Sequence, residues 1–203
     1  YYGSNTKGAT INLATAGIEI IYGSNGADNF NGAGQLVSLS INGNDGNDIL
    51  TGGSANDTIN GGEGNNTLTG NDGNDSISGG AGVDIINGGA GNDTINGYEG
   101  NNTLTGGDGT DYITSGLGAD TITGGDGNDT IYAGGGIDKV DAGSGDDIIY
   151  IDGDADVLAL QAGLGTDTVY VGYYGNNVKG LTLNLLAKGI ENIYGSNGND
   201  SFD

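Results

Sequence analysis

From Gly43 to Tyr150 the chain is built of twelve consecutive nine-residue units with no insertion, each close to G-G-x-G-x-D-x-U-x, where U is a large apolar residue. A short fixed period of this kind restricts the fold to a solenoid, because each unit can bury its apolar residue only by stacking on its neighbours. The apolar places are Leu50, Ile59, Leu68, Ile77, Ile86, Ile95, Leu104, Ile113, Ile122, Ile131, Val140 and Ile149. Composition taken alone points the other way: 46 glycines, no proline and a formal charge of -23 are the marks of a disordered chain. Strict register of one apolar residue in nine overrides that reading.

Several function classes are excluded by what is missing. The sequence contains neither cysteine nor histidine, so disulfides and zinc or thiolate chemistry have no donors. Its basic residues are Lys7, Lys139, Lys179 and Lys188, and a surface so acidic repels nucleic acid, anionic lipid and polyanionic sugars. No apolar run approaches the roughly 20 residues of a membrane span, so membrane insertion is not expected. The partners to expect are cations.

Within a unit, the six residues before the x-U-x triplet are mostly Gly, Asn and Asp, which tolerate positive φ and tight reversals. The triplet, for example Thr58-Ile59-Asn60, is rich in strand formers, and strand period two turns U inward and its neighbours outward. A six-residue turn and a three-residue strand make half a coil, so 18 residues complete a rung.

Units Gly88–Asn96 (GGAGNDTIN) and Gly124–Tyr132 (GGDGNDTIY) carry the full pattern, and on them the chain resembles the RTX (repeats-in-toxin) family of secreted bacterial proteins. The resemblance implies an all-β fold, a right-handed parallel β-roll (a β-solenoid) of two short-stranded sheets with calcium in the turns. Physical chemistry agrees on the ion. One apolar residue in nine does little to offset the entropy of ordering the chain, and carboxylates in strict register repel. Calcium takes six to eight oxygen ligands from carboxylates and exposed carbonyls, whereas magnesium demands a smaller octahedral cage.

The resemblance further implies that sixth-position residues of turns stacked on one edge sandwich each ion. These positions fall into two columns. One carries Asp57, Asp75, Asp93, Asp111, Asp129 and Asp147. The other carries Asp48, Asn66, Asp84, Asn102, Asp120, Asp138 and Asp156, with amides at two places, and the Asn66 and Asn102 rungs are expected to hold calcium less tightly. Asp28, Asp167 and Asp200 occupy the same place in degenerate repeats.

The expected layout is one continuous solenoid: connector strands over 1–22, degenerate repeats over 23–42, the regular block over 43–150, degenerate repeats over 151–172, and a second connector with the start of a further block over 173–203. Gly32–Asn42 and Ile151–Gln161 are eleven-residue units, which read as rungs with a bulge or small loop. Residues 1–31 and 173–203 are identical at 20 of 31 positions at a constant offset of 172, which points to a tandem array with this module as its unit. An end at Asp203, inside a repeat, points to a fragment of that array. Connector segments Thr10–Leu13 and Thr182–Leu185 are expected to add longer strands, and Tyr1, Tyr2, Tyr173 and Tyr174 to cover the roll where Gly-rich turns are missing.

No residue set for catalysis is present: no His or Cys base or nucleophile, no serine elbow, and carboxylates that fall on the repeat rather than in a pair. The expected function is a calcium-binding structural module of a secreted or cell-surface protein such as an adhesin or surface-layer protein, exported by type I secretion and folding on calcium outside the cell. Its partners are then calcium and the neighbouring modules. The alternatives are a surface-binding module that presents outward Thr and Asn ladders to ice or carbohydrate, and an accessory module of a secreted enzyme.

Overall fold

The computed structural model describes residues 8–13, 17–152, 160–172, 182–183, 189–195 and 201–202. Its strands are short, parallel and dealt alternately to two sheets. The first sheet holds β1 (Thr10–Asn12), β3 (Asn29–Asn31), β5 (Ile49–Thr51), β7 (Thr67–Asp72), β9 (Ile85–Ala90), β11 (Thr103–Asp108), β13 (Thr121–Asp126), β15 (Lys139–Ser144) and β17 (Leu160–Gln161). The second holds β2 (Ile20–Tyr22), β4 (Ser40–Asp45), β6 (Thr58–Glu63), β8 (Ser76–Ala81), β10 (Thr94–Glu99), β12 (Tyr112–Thr114), β14 (Thr130–Tyr132), β16 (Ile148–Ile151), β18 (Thr168–Val171) and β20 (Asn192–Tyr194). β19 (Thr182–Leu183) and β21 (Ser201–Phe202) pair with each other.

This is a parallel β-solenoid with about 18 residues per turn. Register follows the repeat: Leu50 lies beside Leu68, Leu68 beside Ile86, and on the opposite sheet Ile59 beside Ile77 and Ile77 beside Ile95. All twelve apolar repeat residues are at most 1% exposed, so two facing files of Leu, Ile and Val make one continuous core. The eleven-residue units lengthen the step to 20 residues, pairing Ile21 with Ile41 and Val140 with Leu160, and the inward file runs on without a break.

The strands differ from the expected triplet. In β6, β7, β8, β9, β10, β11, β13 and β15 they run six residues, through the triplet and on to the third position of the next unit. The turn proper therefore shrinks to positions four to six. The first glycine faces inward, and a Cβ on Gly70 would lie 2.4 Å from the Gly88 carbonyl oxygen and 2.1 Å from Asp75 Oδ2. The second sits in the left-handed region, as at Gly89 with φ 118°. Where that place is not glycine, the left-handed angle persists at Asn44, Asn71 and Tyr98. Asn44 and Asn71 each donate Nδ2 to a carbonyl of the preceding rung, at 2.8 and 2.9 Å.

Of the connectors, β1 has three residues and continues the first sheet, while β19 has two described residues and pairs only with β21 among the described residues; Asn184 and Leu185 lie outside them. Tyr1, Tyr2, Tyr173 and Tyr174 lie outside the described residues.

Candidate metal centre: two columns of buried carboxylates

Sixth-position residues project inward at the ends of the rungs, and Asp28, Asp48, Asp57, Asn66, Asp75, Asp84, Asp93, Asn102, Asp111, Asp120, Asp129, Asp138, Asp147 and Asp167 are all at most 2% exposed. Asp156 and Asp200 lie outside the described residues. Two columns form, one on each edge. In the first, the Leu39, Asp57, Asp75, Asp93, Asp111, Asp129 and Asp147 amides each donate to Oδ1 of the next sixth-position residue, at 2.7 to 2.9 Å, ending on Asp167. The Asp167 amide then donates to Glu191 Oε2 at 2.8 Å. In the second column the same bonds run from Asp28 through Asp48, Asn66, Asp84, Asn102 and Asp120 to Asp138.

One carboxylate oxygen is thus committed to the neighbouring backbone. The other is not: Oδ2 of Asp48, Asp75, Asp84, Asp93, Asp111, Asp129, Asp147 and Asp167 is buried without a hydrogen-bond donor. A buried anionic oxygen with no donor is costly, and it protonates or takes a cation instead. Burial pushes Asp75 and Asp129 up to about 7 and Asp111 and Asp167 to about 6, against the pull of the amide bond on Oδ1. Burial likewise raises Asp48, Asp57, Asp84, Asp93, Asp120 and Asp147.

The surroundings of these orphaned oxygens suit a hard cation. Position-four carbonyls point along the roll: a Cβ on Gly64 would lie 2.0 Å from the Gly46 oxygen, and one on Gly109 2.1 Å from the Gly91 oxygen. Carbonyl files and carboxylates together are a calcium donor set. Among the described residues no group of three or more His, Cys, Asp or Glu is placed to hold a metal, so any ion here would need backbone carbonyls beside the aspartates.

Asn66 and Asn102 keep the ladder but change its free end. Their Oδ1 atoms accept from the Asp48 and Asp84 amides at 2.9 Å, which places Nδ2 where an aspartate has Oδ2. The Asn102 Nδ2 has no acceptor, and the Asn66 Nδ2 donates to the Gly64 carbonyl at 3.2 Å. Turning the amide over would set an NH2 against an N–H, so the ladder fixes the orientation. At these places the column presents a donor, which repels a cation.

A further ladder had no counterpart in the sequence reading. At position five, Oδ1 of Asn47, Asn65, Asn56, Asn74, Asn92, Asn101 and Asn128 accepts from the position-five amide of the following rung at 2.8 to 2.9 Å. Its polarity is opposite to that of the sixth position. Asn65 donates to the rung before and Asn66 to the rung after, so each turn is stitched in both directions. The recurrence of Asn before Asp was the available signal.

A parallel solenoid whose turns stack carboxylates and carbonyls in register defines a cation-binding repeat protein. The sequence pattern of the RTX calcium-binding nonapeptide repeat matches residues 13–35, 40–68, 60–95, 87–122, 123–158 and 188–203, and the chain belongs to that family. Comparison with curated proteins and with solved structures gave no significant match.

Proposed function

We propose that this chain is a calcium-rigidified structural module, repeated in tandem within a secreted or surface-anchored protein, and that the two aspartate columns are its ion sites. The observation that carries the reading is the file of buried Oδ2 atoms without donors, in turns whose position-five and position-six amides are bonded from rung to rung. Asp57, Asp75, Asp93, Asp111, Asp129, Asp147 and Asp167 would hold ions along one edge, and Asp28, Asp48, Asp84, Asp120 and Asp138 along the other. Calcium supplies the positive charge that lets these groups stay ionised when buried. Because the sites exist only in the folded chain, binding energy becomes folding energy.

In a low-calcium compartment the carboxylates favour an unfolded chain suited to export, and millimolar calcium outside folds it. Catalysis is no part of this role: the sequence has no His or Cys, and its carboxylates fall on the repeat. The ladder reading of ice or carbohydrate binding lacks an unbroken array: the outward places of the first sheet run Thr67, Ile85, Thr103 and Thr121 in one file and Thr69, Asn87, Thr105 and Thr123 in the next. Far-ultraviolet circular dichroism of calcium-stripped protein, titrated with calcium and separately with magnesium, tests the proposal. A cooperative gain of β signal specific to calcium supports it, and a full β spectrum in chelator refutes it.

A further inference from the structure

The two copies of the repeated segment see different surroundings. In the second, the Asn192 amide donates to the Asp167 carbonyl at 2.9 Å and Glu191 accepts from the Asp167 amide. Tyr194 stacks on Tyr170 at 4.9 Å with planes 11° apart, and Ile190 is 6% exposed. A Cβ on Gly189 would lie 2.5 Å from the Gly163 carbonyl oxygen. The first copy has the same residues at an offset of 172, save Ile20 in place of Asn192, and none of these contacts. Gly17 has open space beyond its Cα, Tyr22 is 72% exposed, and no ring stacks on it and no group bonds the Glu19 carboxylate among the described residues.

The backbone repeats as well. β19 and β21 pair Thr182 with Ser201, as β1 and β3 pair Thr10 with Asn29. The tyrosine file explains why Tyr22 is there at all. Tyr132, Tyr150, Tyr170 and Tyr194 stack in succession on the outer face of the second sheet, whereas the neighbour of Tyr22 on β4 is Asn42. Tyr22 has no aromatic use inside its own module. It matches Tyr194, the ring that closes such a file from the next copy.

We infer that the face made by Gly17, Ile18, Glu19 and Tyr22 is the docking surface for the C-terminal end of a preceding copy of this module, the end made by Gly163, Asp167 and Tyr170. This rests on the tandem reading but not on calcium. Among the described residues the join is carried by the second sheet: β20 pairs with β18, while β17 and β19 are not paired with each other. Glu19 takes the last amide of the preceding all-aspartate column, as Glu191 does here, and Tyr22 caps its tyrosine file.

Hydrogen exchange tests this in the 203-residue chain and in the same chain with a further copy of residues 1–172 fused ahead of it. In the single chain the Ile20 amide should exchange fast and that of Asn192 slowly. In the fused chain the Ile20 amide of the rear copy should slow by about tenfold or more, and Glu19→Ala with Tyr22→Ala in the rear copy should abolish the slowing, while the same pair in the front copy should not. An unchanged Ile20 rate in the fused chain overturns the inference, as does full slowing in the rear-copy double variant. Ile95, deep in the regular block, reports calcium-linked folding in the same data, so a failure of the calcium reading shows there and leaves the seam result to stand or fall by itself.

Discussion

The two edges of the roll share one backbone design and differ in charge. Along one, every sixth position from Asp75 to Asp167 presents an orphaned carboxylate oxygen, while the second oxygen of Asp57 accepts from the Gly53 amide; along the other, Asn66 and Asn102 interrupt the file with amide nitrogens. Both columns keep the same Oδ1 ladder, over the same range of 2.7 to 2.9 Å. The sixth position therefore does two separable jobs. One oxygen stitches rungs together, which Asn does as well as Asp, and the other atom sets the charge available to an ion, which Asn does not supply.

The sharpest way to break that separation is to delete both jobs in one column and only the stitch in the other. Asp93→Ala and Asn102→Ala each leave a buried amide, of Asp75 and of Asp84, without its acceptor. Loss of the stitch alone should cost about 1–3 kcal/mol. With saturating calcium Asp93→Ala should therefore lose substantially more than Asn102→Ala, as read by urea unfolding of the calcium-loaded roll. Equal losses in calcium would mean that the two atoms are not doing separate work.

Acid should act chiefly on the all-aspartate column. With Asp75 and Asp129 near 7 when folded and 3.8 as the ordinary value, the folded metal-free roll binds more protons than the unfolded chain between those limits. Its contribution to metal-free stability is full below 3.8 and is lost as pH rises through 7. Calcium must displace those protons, so its apparent affinity should fall as pH drops from about 8 to about 5.5. Calorimetric titration at both values checks the sign.

Smaller in size is the repair of the mixed column. Asn66→Asp and Asn102→Asp should each strengthen calcium binding on that edge by about tenfold, since added ligand charge tunes such sites. Each should also weaken the metal-free fold, because a buried carboxylate replaces an amide. The smallest effect concerns the backbone of the Asn102 unit, where Tyr98 holds φ 65°. Tyr98→Gly should stabilise the roll by about 0.5–1 kcal/mol in thermal melts, with calcium affinity unchanged.

The inward files and the two columns were legible because period nine fixes which residue faces the core, and period 18 fixes which turns share an edge. What the pattern could not show is how one carboxylate divides its oxygens, since that depends on the distance to the next turn's amide. Gly-Gly reads as turn by its left-handed angles, yet Gly89 and Gly107 stay paired in strands, because identical angles stack in register from rung to rung. Leu39 shows another limit: in an eleven-residue unit it takes the column place of an aspartate and closes the file at Asp57. The tyrosine file was missed because its members are spaced 18, 20 and 24 residues apart, outside any single period.

The most direct measurement is anomalous scattering from crystals of this chain grown at limiting calcium, which locates and weighs each ion. The account predicts ions between successive turns of the Asp57–Asp167 column, filled first, and weaker peaks beside Asn66 and Asn102. Equal occupancy on both edges, or ions away from the Oδ2 atoms, would contradict it.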